Sequence, residues 1–576
     1  MLRLLLALIG AALPQSQPLA GPWTVSVGAS ATGAHMRSVT LPYVVNAHGF
    51  TGRRGLASYR GAVAWYRKRF TVPSDGTYVV RFESVHHKAT VWIDGRLERH
   101  HTGAYLPFEV RATLKAGKTH TLLVRADYRD PTAMKHAGWH RSWFNFGGID
   151  RPVTMRRAGP SEIVSPFIRT RLAPDGAAVV DVSMRVHNRA ATRTIAPQGS
   201  LGATPLPFPP VTVPAGHERT VRAEVRVENP ALWGPGHPEL YDLQLAVPGE
   251  ASWSGRVGLR EIRRDGSAIL INGKRLVLHG ASIQEDAPGH GDGLTGADMD
   301  RIVARLKRIH ANATRSQHPL SPDLVSRLDA AGILVWQGVG PVDSPGNWEE
   351  NTAHEQAVAR RRVRTSVAQL QTHPSILAWN LANEVGGQGH RGGQAAYIDA
   401  MARELHRTDP GRLVALDIWG THAPHAPGRM YRHIDVLGLT NYTGWYDHTF
   451  SSQALIANVI RSNIASLHRV FPNRAIVISE FGAEANGRNA RYRPGGYGFQ
   501  SRLLATHLRT YASIPYLSGE LVWTLSDFAV SPLFLGGSIN GIVPDIHLLR
   551  GLNQKGLFKY GGRPKPAAAL VARAYG

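Results

Sequence analysis

The sequence predicts a multidomain protein with an N-terminal β jelly roll, an immunoglobulin-like β-sandwich and a C-terminal (β/α)8 TIM barrel. Three observations carry this prediction. At 576 residues the chain exceeds what one hydrophobic core can hold. Up to about residue 263 it reads as short β-rich runs separated by turn residues. From Gly266 onward apolar strands alternate with amphipathic helices, in about the residue count of a TIM barrel. A hydrophobic fraction of 43% and a charged fraction of 19% fit a folded globular chain.

The chain starts MLRLLLALIGAAL, one Arg and a short Leu-rich run followed by small residues. This is the pattern of an export leader, too short to span a bilayer comfortably, and residues 1–20 are assigned to it. Cleavage after Ala12 or after Ala20 fits equally. The expected location is secreted or periplasmic, with no membrane association once the leader is removed. There is no Cys, which excludes disulfides, thiolate metal sites and Cys nucleophiles.

Residues 21–159 hold the runs AVAWYRKRFTV, GTYVVRFESV, ATVWIDGRL and HTLLVRADY, whose spacing suits a jelly roll. Residues 160–264 hold AAVVDVSMRVHN, RTVRAEVRV and ELYDLQLAV, a length suited to an immunoglobulin-like sandwich. Residues 265–576 form the expected barrel. Its strands are RLVLHGA, ATRSQ, ILVWQGV, ILAWNLANE, LVALDIWG, DVLGLTNY, AIVISEFG and GELVWTLSDF. Only the helix after LVALDIWG has no clear pattern.

The net charge of +24 raises nucleic acid as a partner. Lys and Arg are scattered along the whole chain, however, with no basic arm and no basic stripe interleaved with aromatics. Nucleic-acid binding is not expected. The oligomeric state is left open, a homo-oligomer included.

Catalytic groups of a TIM barrel project from the C-terminal ends of its strands. Glu384 ends the fourth strand segment, and Glu480 ends the seventh. Either one alone would be read as an exposed strand end or half of an ion pair. Together over one barrel mouth they suit hydrolysis of a glycosidic bond, one protonating the leaving oxygen while the other attacks or activates water. Glu484 is expected to support the site from behind, Glu520 to face the wrong end of the barrel, and Asp527 to support the site. Arg315, ending the second strand, would keep a nearby nucleophile ionised. Tyr442 could hydrogen-bond that nucleophile, and Trp523 offers a flat face to a sugar ring; core packing is the bland alternative for both aromatics. His279, Glu285, Asp286, His290 and Asp292 cluster after the first strand in no metal-ligand spacing. They are read as a polar loop, and neither metal nor organic cofactor is expected.

The stretches WNLANE, NYTGWY, SEFGAE and WTLSDF, in that order, resemble glycoside hydrolase family 2, the β-glucuronidase and β-galactosidase group. AWYRKRF, AYLPFEV and FNFGGIDRPV resemble its N-terminal domain, NPALWGPGHPELYDL the end of its middle sandwich, and QEDA, RSQHP and HPSILAWNLANE its barrel. The resemblance implies a retaining exo-β-glycosidase acting on a carbohydrate β-glycoside. It implies that Glu480 is the nucleophile and Glu384 the general acid/base, which must carry its proton at neutral pH. It implies that Asn383 bonds the sugar 2-hydroxyl and Tyr442 the nucleophile. It also places His318, in RSQHP, with Arg315 and Trp523 among the substrate-binding residues.

Near the C-terminus, Asn553-x-Lys555 in GLNQKGLF resembles the grip of β-glucuronidases on the substrate carboxylate, with Arg550 close by. A solvated Lys at the barrel end is the alternative. In one respect the chain departs from the group. Where both subgroups tend to carry an Asp, three residues before the Asn of FNFGG, it has Ser142. A β-glucuronide is the expected substrate, a β-galactoside the alternative, and a non-catalytic carbohydrate-binding protein the reading from another class.

Overall fold

The computed structural model describes residues 16–28, 30, 36–131, 143–340, 352–386, 393–420 and 424–576. Residues 1–15 and Ser142 lie outside the described residues.

The first domain is two antiparallel sheets face to face. A six-stranded sheet has Val63–Phe70 and His120–Asp127 at its centre, and a four-stranded sheet is built around Val153–Arg157 and Gly76–Phe82. Alternation decides which side chains meet between them. In Gly76–Phe82, Tyr78, Val80 and Phe82 are buried in a core that also takes Tyr66, Val91, Phe108, Leu122 and Val124. Asp94-Gly95, with φ of +50° and +82°, turns Lys88–Ile93 back into Arg96–Thr102, as the right-handed twist of a tight hairpin requires.

Residues 17–20, assigned above to the leader, are built into this domain. Gln17–Pro18 pairs with Thr154 and Met155. The Leu19 amide donates to Val153 O at 2.9 Å, and its side chain joins the core. Trp23 Nε1 donates to Leu19 O at 3.3 Å, and the Lys68 ammonium donates to the carbonyls of Ala20 and Pro22. Cleavage after Ala20 would remove a strand.

The second domain packs the sheet of Ser161–Leu172, Ala178–Asn188 and Glu218–Val227 against a four-stranded sheet centred on Tyr241–Val247. Val180, Val182, Val186, Leu243 and Leu245 fill the space between them. The three-stranded sheet that follows runs from Ile262 to Leu276 and so spans the boundary expected at residue 264. It closes the bottom of the barrel.

Eight parallel strands form a closed barrel: β1 Leu278–Ser282, β2 Ala313–Ser316, β3 Leu334–Gly338, β4 Ile376–Asn380, β5 Leu413–Trp419, β6 Val436–Thr440, β7 Ala475–Glu480 and β8 Leu517–Val522. All eight expected strands are present. Nearly every residue in them is buried, because one face meets the barrel interior and the other the helices. The lower interior is filled by Leu278, Ala313, Trp336, Ala378, Ala415, Val436, Val477 and Leu521. Between β5 and β6 the described residues hold only the 3-10 turn Arg429–Tyr431. Pro424, Pro427 and Gly428 explain why no long helix forms there.

The two sandwiches are fastened to the barrel by buried cations. Arg151 Nη2 donates to Glu285 Oε2 at 2.7 Å and to Pro319 O at 2.6 Å. Arg260 donates to the carbonyls of Pro374, Ile376 and Gly411 at the barrel's base.

Candidate active site

The site begins with β7, whose last residue is Glu480. Burial of an unpartnered carboxylate there would be costly, and three side chains answer it. Arg315 Nη1, from β2, lies 2.9 Å from Glu480 Oε1. Gln317 Nε2 donates to the same oxygen at 2.8 Å. The Tyr442 hydroxyl donates to Oε2 at 2.8 Å, and the Asn441 amide donates to the Glu480 carbonyl at 2.7 Å. Burial raises the Tyr442 phenol well above its ordinary value, and the Glu480 charge raises it further, so the phenol stays a donor.

Arg315 is in turn held by Asp417, a carboxylate inside β5. Its Nη2 donates to Asp417 Oδ2 at 2.6 Å and its Nε at 3.0 Å. Burial alone would weaken the guanidinium's hold on its proton. The charges of Asp417 and Glu480 more than offset that, so Arg315 remains a cation in a fully enclosed position. Burial raises the Asp417 carboxyl, with Arg315 opposing the shift. Gly438 of β6 is required by this arrangement. A Cβ there would stand 1.9 Å from Asp417 Oδ1 and 2.8 Å from Ser479 Oγ.

Glu384 lies past the end of β4, where Leu381 and Val385 continue to bond along β5. Its φ is +45°, in the left-handed region that side chains with a Cβ avoid. Such a conformation persists only where the surroundings enforce it, and here it belongs to a carboxylate facing a cleft. Asn383 Oδ1 accepts from Arg315 Nη2 at 2.5 Å and from Gln317 Nε2 at 3.1 Å. This fixes the amide with its buried Nδ2 as a donor that has no acceptor among the described residues.

Glu384 and Glu480 line one cleft of about 530 Å³ over the barrel mouth. Trp143 of the first domain, Tyr442, Trp523 and Phe534 supply flat walls. Asn553 and Lys555 lie on the same cleft, brought there because Leu552–Asn553 pairs with Phe528–Ala529 just after β8. Lys555 is buried. Its Nζ donates to Tyr446 OH at 3.0 Å and to Glu484 Oε1 at 3.3 Å. Burial opposes its charge, but Tyr446 and Glu484 more than compensate and the ammonium is retained. Those two bonds use two of its three N–H donors. Asn553 Oδ1 accepts the Lys555 backbone N–H at 3.1 Å, which leaves its amide nitrogen for a ligand. Beneath this loop, Asp527 accepts from Lys565 Nζ at 2.7 Å and from the Gly556 amide at 3.0 Å. Burial pushes its carboxyl up to about 6, with Lys565 opposing.

Arg315 and Asn383 do not line the cleft themselves, Arg315 contacting Glu480 and Asn383 bonding Arg315, and two further expected substrate-binding residues take other places. His318 is buried against Glu285, with Nε2 3.0 Å from Oε2, and its ring packs on Tyr105 and Trp143 rather than lining the cleft. It holds the cleft wall from behind. Arg550 is exposed and does not line the cleft. Gly551, at φ +84°, turns the chain there and leaves Arg550 on the outside of the bend.

The polar cluster after β1 disperses. Glu285 joins Arg151 and His318, Asp286 accepts from the Ala529 amide and Tyr560 OH, His290 pairs with Asp298, and His279 pairs with Glu520. Asp292 turns toward the first domain, against His86. Sequence reading missed Gln317, Asp417, Tyr446 and Trp143. The available signal was polar residues in otherwise apolar strand text, as with Asp417 in LVALDIW.

Residues 261–547 match the model of "Glycosyl hydrolases family 2, TIM barrel domain", and residues 161–260 that of "Glycosyl hydrolases family 2", together more than half of the chain. The chain is 25% identical over 581 residues to a β-glucuronidase of Paenibacillus borealis, covering 94% of this chain and 92% of that one. It is 26% identical to a β-glucuronidase of Streptococcus agalactiae, covering 87% and 86%. Among solved structures it is similar to a β-galacturonidase from Eisenbergiella tayi bound to galacturonate, with TM-score 0.85 and 22% identity over 99% of both chains. A β-D-glucuronidase from Dictyoglomus thermophilum superposes with TM-score 0.78 and 22% identity over 97% of both.

Proposed function

The chain belongs to glycoside hydrolase family 2, and we propose that it is an exported, retaining exo-β-glucuronidase. The observation that carries this reading is the single cleft. Glu480, clamped between Arg315, Gln317 and Tyr442, faces it together with Glu384, and Lys555 and Asn553 lie on it too.

Glu480, kept ionised by Arg315 and oriented by two donors, attacks the anomeric carbon. Glu384 gives its proton to the departing glycosidic oxygen as that bond breaks. A glycosyl ester on Glu480 results. Glu384, now a carboxylate, takes a proton from water as the water attacks the same carbon, and Glu480 leaves as the carboxylate it was. The free Nδ2 of Asn383 suits the sugar 2-hydroxyl, where a hydrogen bond strengthens in the transition state. Lys555 and Asn553 suit a uronate carboxylate, because a charge-assisted bond is about twice as strong as a neutral one. The names of the relatives from Paenibacillus and Streptococcus support the same sugar. The export leader is supported by its sequence pattern alone.

One observation favours a second reading, a neutral β-galactoside. Lys555 already has a carboxylate partner in Glu484, so the pair is neutral without a uronate.

The mechanism is tested with two variants and an aryl glycoside bearing a good leaving group. Glu384→Ala should keep the first step, stall at the second, and be rescued by azide with a β-glycosyl azide as product. Glu480→Gln should lose turnover altogether. An α-azide from Glu384→Ala, or azide rescue of Glu480→Gln alone, would exchange or refute these roles.

A further inference from the structure

Behind the cleft wall lies a second polar cluster, assembled from three distant segments. His86 follows the strand Gly76–Phe82, Asp150 follows the short strand Gly148–Ile149, and Asp292 lies in the loop between β1 and the helix Gly296–Arg308. One ring nitrogen of His86 and one carboxylate oxygen from each aspartate all lie within 4.8 Å of one another. The three side chains are buried, at 2% exposure for His86 and Asp150 and 7% for Asp292.

His86 pairs with Asp292 and Asp150 is approached by Ser84, but these contacts leave several of the polar atoms without an aligned partner. Among the described residues, both ring nitrogens of His86, both oxygens of Asp292 and Oδ1 of Asp150 are buried without an aligned hydrogen-bond partner. His86 Nδ1 lies 3.1 Å from Asp292 Oδ2, the span of a hydrogen bond but without its alignment. The neighbouring cation, Arg151, is committed to Glu285 Oε2 and to the carbonyls of Tyr105 and Pro319. Two carboxylates and an imidazole with unused lone pairs therefore converge in a buried place. Buried charges in proteins are paired or coordinate metals.

We propose that His86, Asp150 and Asp292 bind one divalent transition-metal cation, of the Zn2+ or Mn2+ kind. Ligands about 2.0–2.2 Å from such an ion stand roughly 3–4.4 Å apart, and the ligand atoms of this trio lie within 4.8 Å of one another. An imidazole with two carboxylates suits Zn2+ and Mn2+ better than Mg2+ or Ca2+, which favour oxygen ligands throughout. Two ligands come from the first domain and one from the barrel's first loop, so the ion clamps one to the other. The His86 ring packs edge-on against Tyr105, with centroids 5.8 Å apart, and Tyr105 lies on His318 at 4.6 Å. The clamp thus stands behind Trp143 and takes no part in bond-making. Its ligands share no sequence spacing, which is why no motif announces them.

The full chain is equilibrated with Zn2+, Mn2+ or Ca2+, dialysed, and measured for bound metal and thermal midpoint, beside Asp292→Asn and Asp150→Asn. The wild type should retain one equivalent of Zn2+ or Mn2+ per chain. A strong chelator should lower its midpoint by several degrees, and re-addition of the metal should restore it. Each variant should bind the metal at least about tenfold more weakly, since loss of even an outer-shell partner costs about 10–100-fold. Neither variant's midpoint should respond to the chelator. If a variant does not fold, the wild-type titration alone still decides. Wild type without stoichiometric metal, uptake equal in wild type and variants, or a midpoint indifferent to chelator overturns the clamp.

Discussion

On the proposed function Lys555 grips the uronate, and its surroundings set what its loss should do. A uronate carboxylate moved from water to the cleft costs several kcal/mol without a partner. Lys555 supplies one through its remaining N–H, beside the Asn553 amide. Lys555→Ala should lower kcat/KM for an aryl β-glucuronide about 100-fold, within the ~2–5 kcal/mol expected for truncating one member of a buried charged pair. The matching β-glucoside should be affected far less. Because the substitution also leaves Glu484 buried without its cation, the midpoint of the variant is measured alongside. Equal losses on both substrates would assign Lys555 to holding Glu484 rather than to the uronate. The Asn-x-Lys spacing made both residues legible in the sequence. Arg550 was misread because position along the chain says nothing about a bend, and Gly551 turns it outward.

At the scale of elements, the helix Tyr497–Ala512 supports the site through His507. Its Nε2 donates to Thr443 O at 2.7 Å, in the segment carrying Tyr442, and its Nδ1 accepts from Tyr511 OH at 2.8 Å. The ring also stacks on Phe481, next to Glu480. Burial lowers its pKa from 6.5 to about 4. The unfolded chain therefore takes up a proton between these values while the native state does not. The stabilisation is fully present above pH 6.5 and is lost as pH falls through 4. At ~1.4 kcal/mol per unit the loss amounts to about 3 kcal/mol. His507→Gln keeps an uncharged donor, so the stability difference between wild type and variant should shrink as pH falls from 6.5 to 4.5. A difference independent of pH would contradict a neutral buried His507. The strands themselves were legible because a buried parallel strand must be apolar on both faces. Asp417 was not read as a site residue, because an isolated polar residue in such a strand does not reveal which side chains of neighbouring strands it will meet. The pairing of β5 with β6, and the space left by Gly438, decide that.

At the scale of the whole molecule, the three cores serve one cleft. The first domain supplies Trp143 to its wall and Arg151 to Glu285 beneath it. The division into two β-rich blocks and a barrel was legible from the change of period near Gly266. The place of residues 17–20 in the first domain was not, because Gln17–Ala20 is too short to show alternation and is held by backbone bonds and Lys68 rather than by pattern. A chain starting at Gln17 should therefore match the full chain in thermal midpoint. One starting at Gly21 should melt several degrees lower, having lost the Gln17–Pro18 strand and the carbonyl that caps Lys68. Equal midpoints for the two would show that residues 17–20 contribute nothing to the domain.

The central claim is that this cleft hydrolyses a β-glucuronide by two displacements at one carbon, with Glu480 as the first attacker. Proton NMR of 4-nitrophenyl β-D-glucuronide turning over with the wild type tests it most directly, through the anomeric signal that appears first. The account predicts β-glucuronic acid first, with the α anomer growing in only as fast as mutarotation allows. Initial release of the α anomer, or no hydrolysis of the glucuronide by an enzyme that cleaves the β-galactoside, would contradict it.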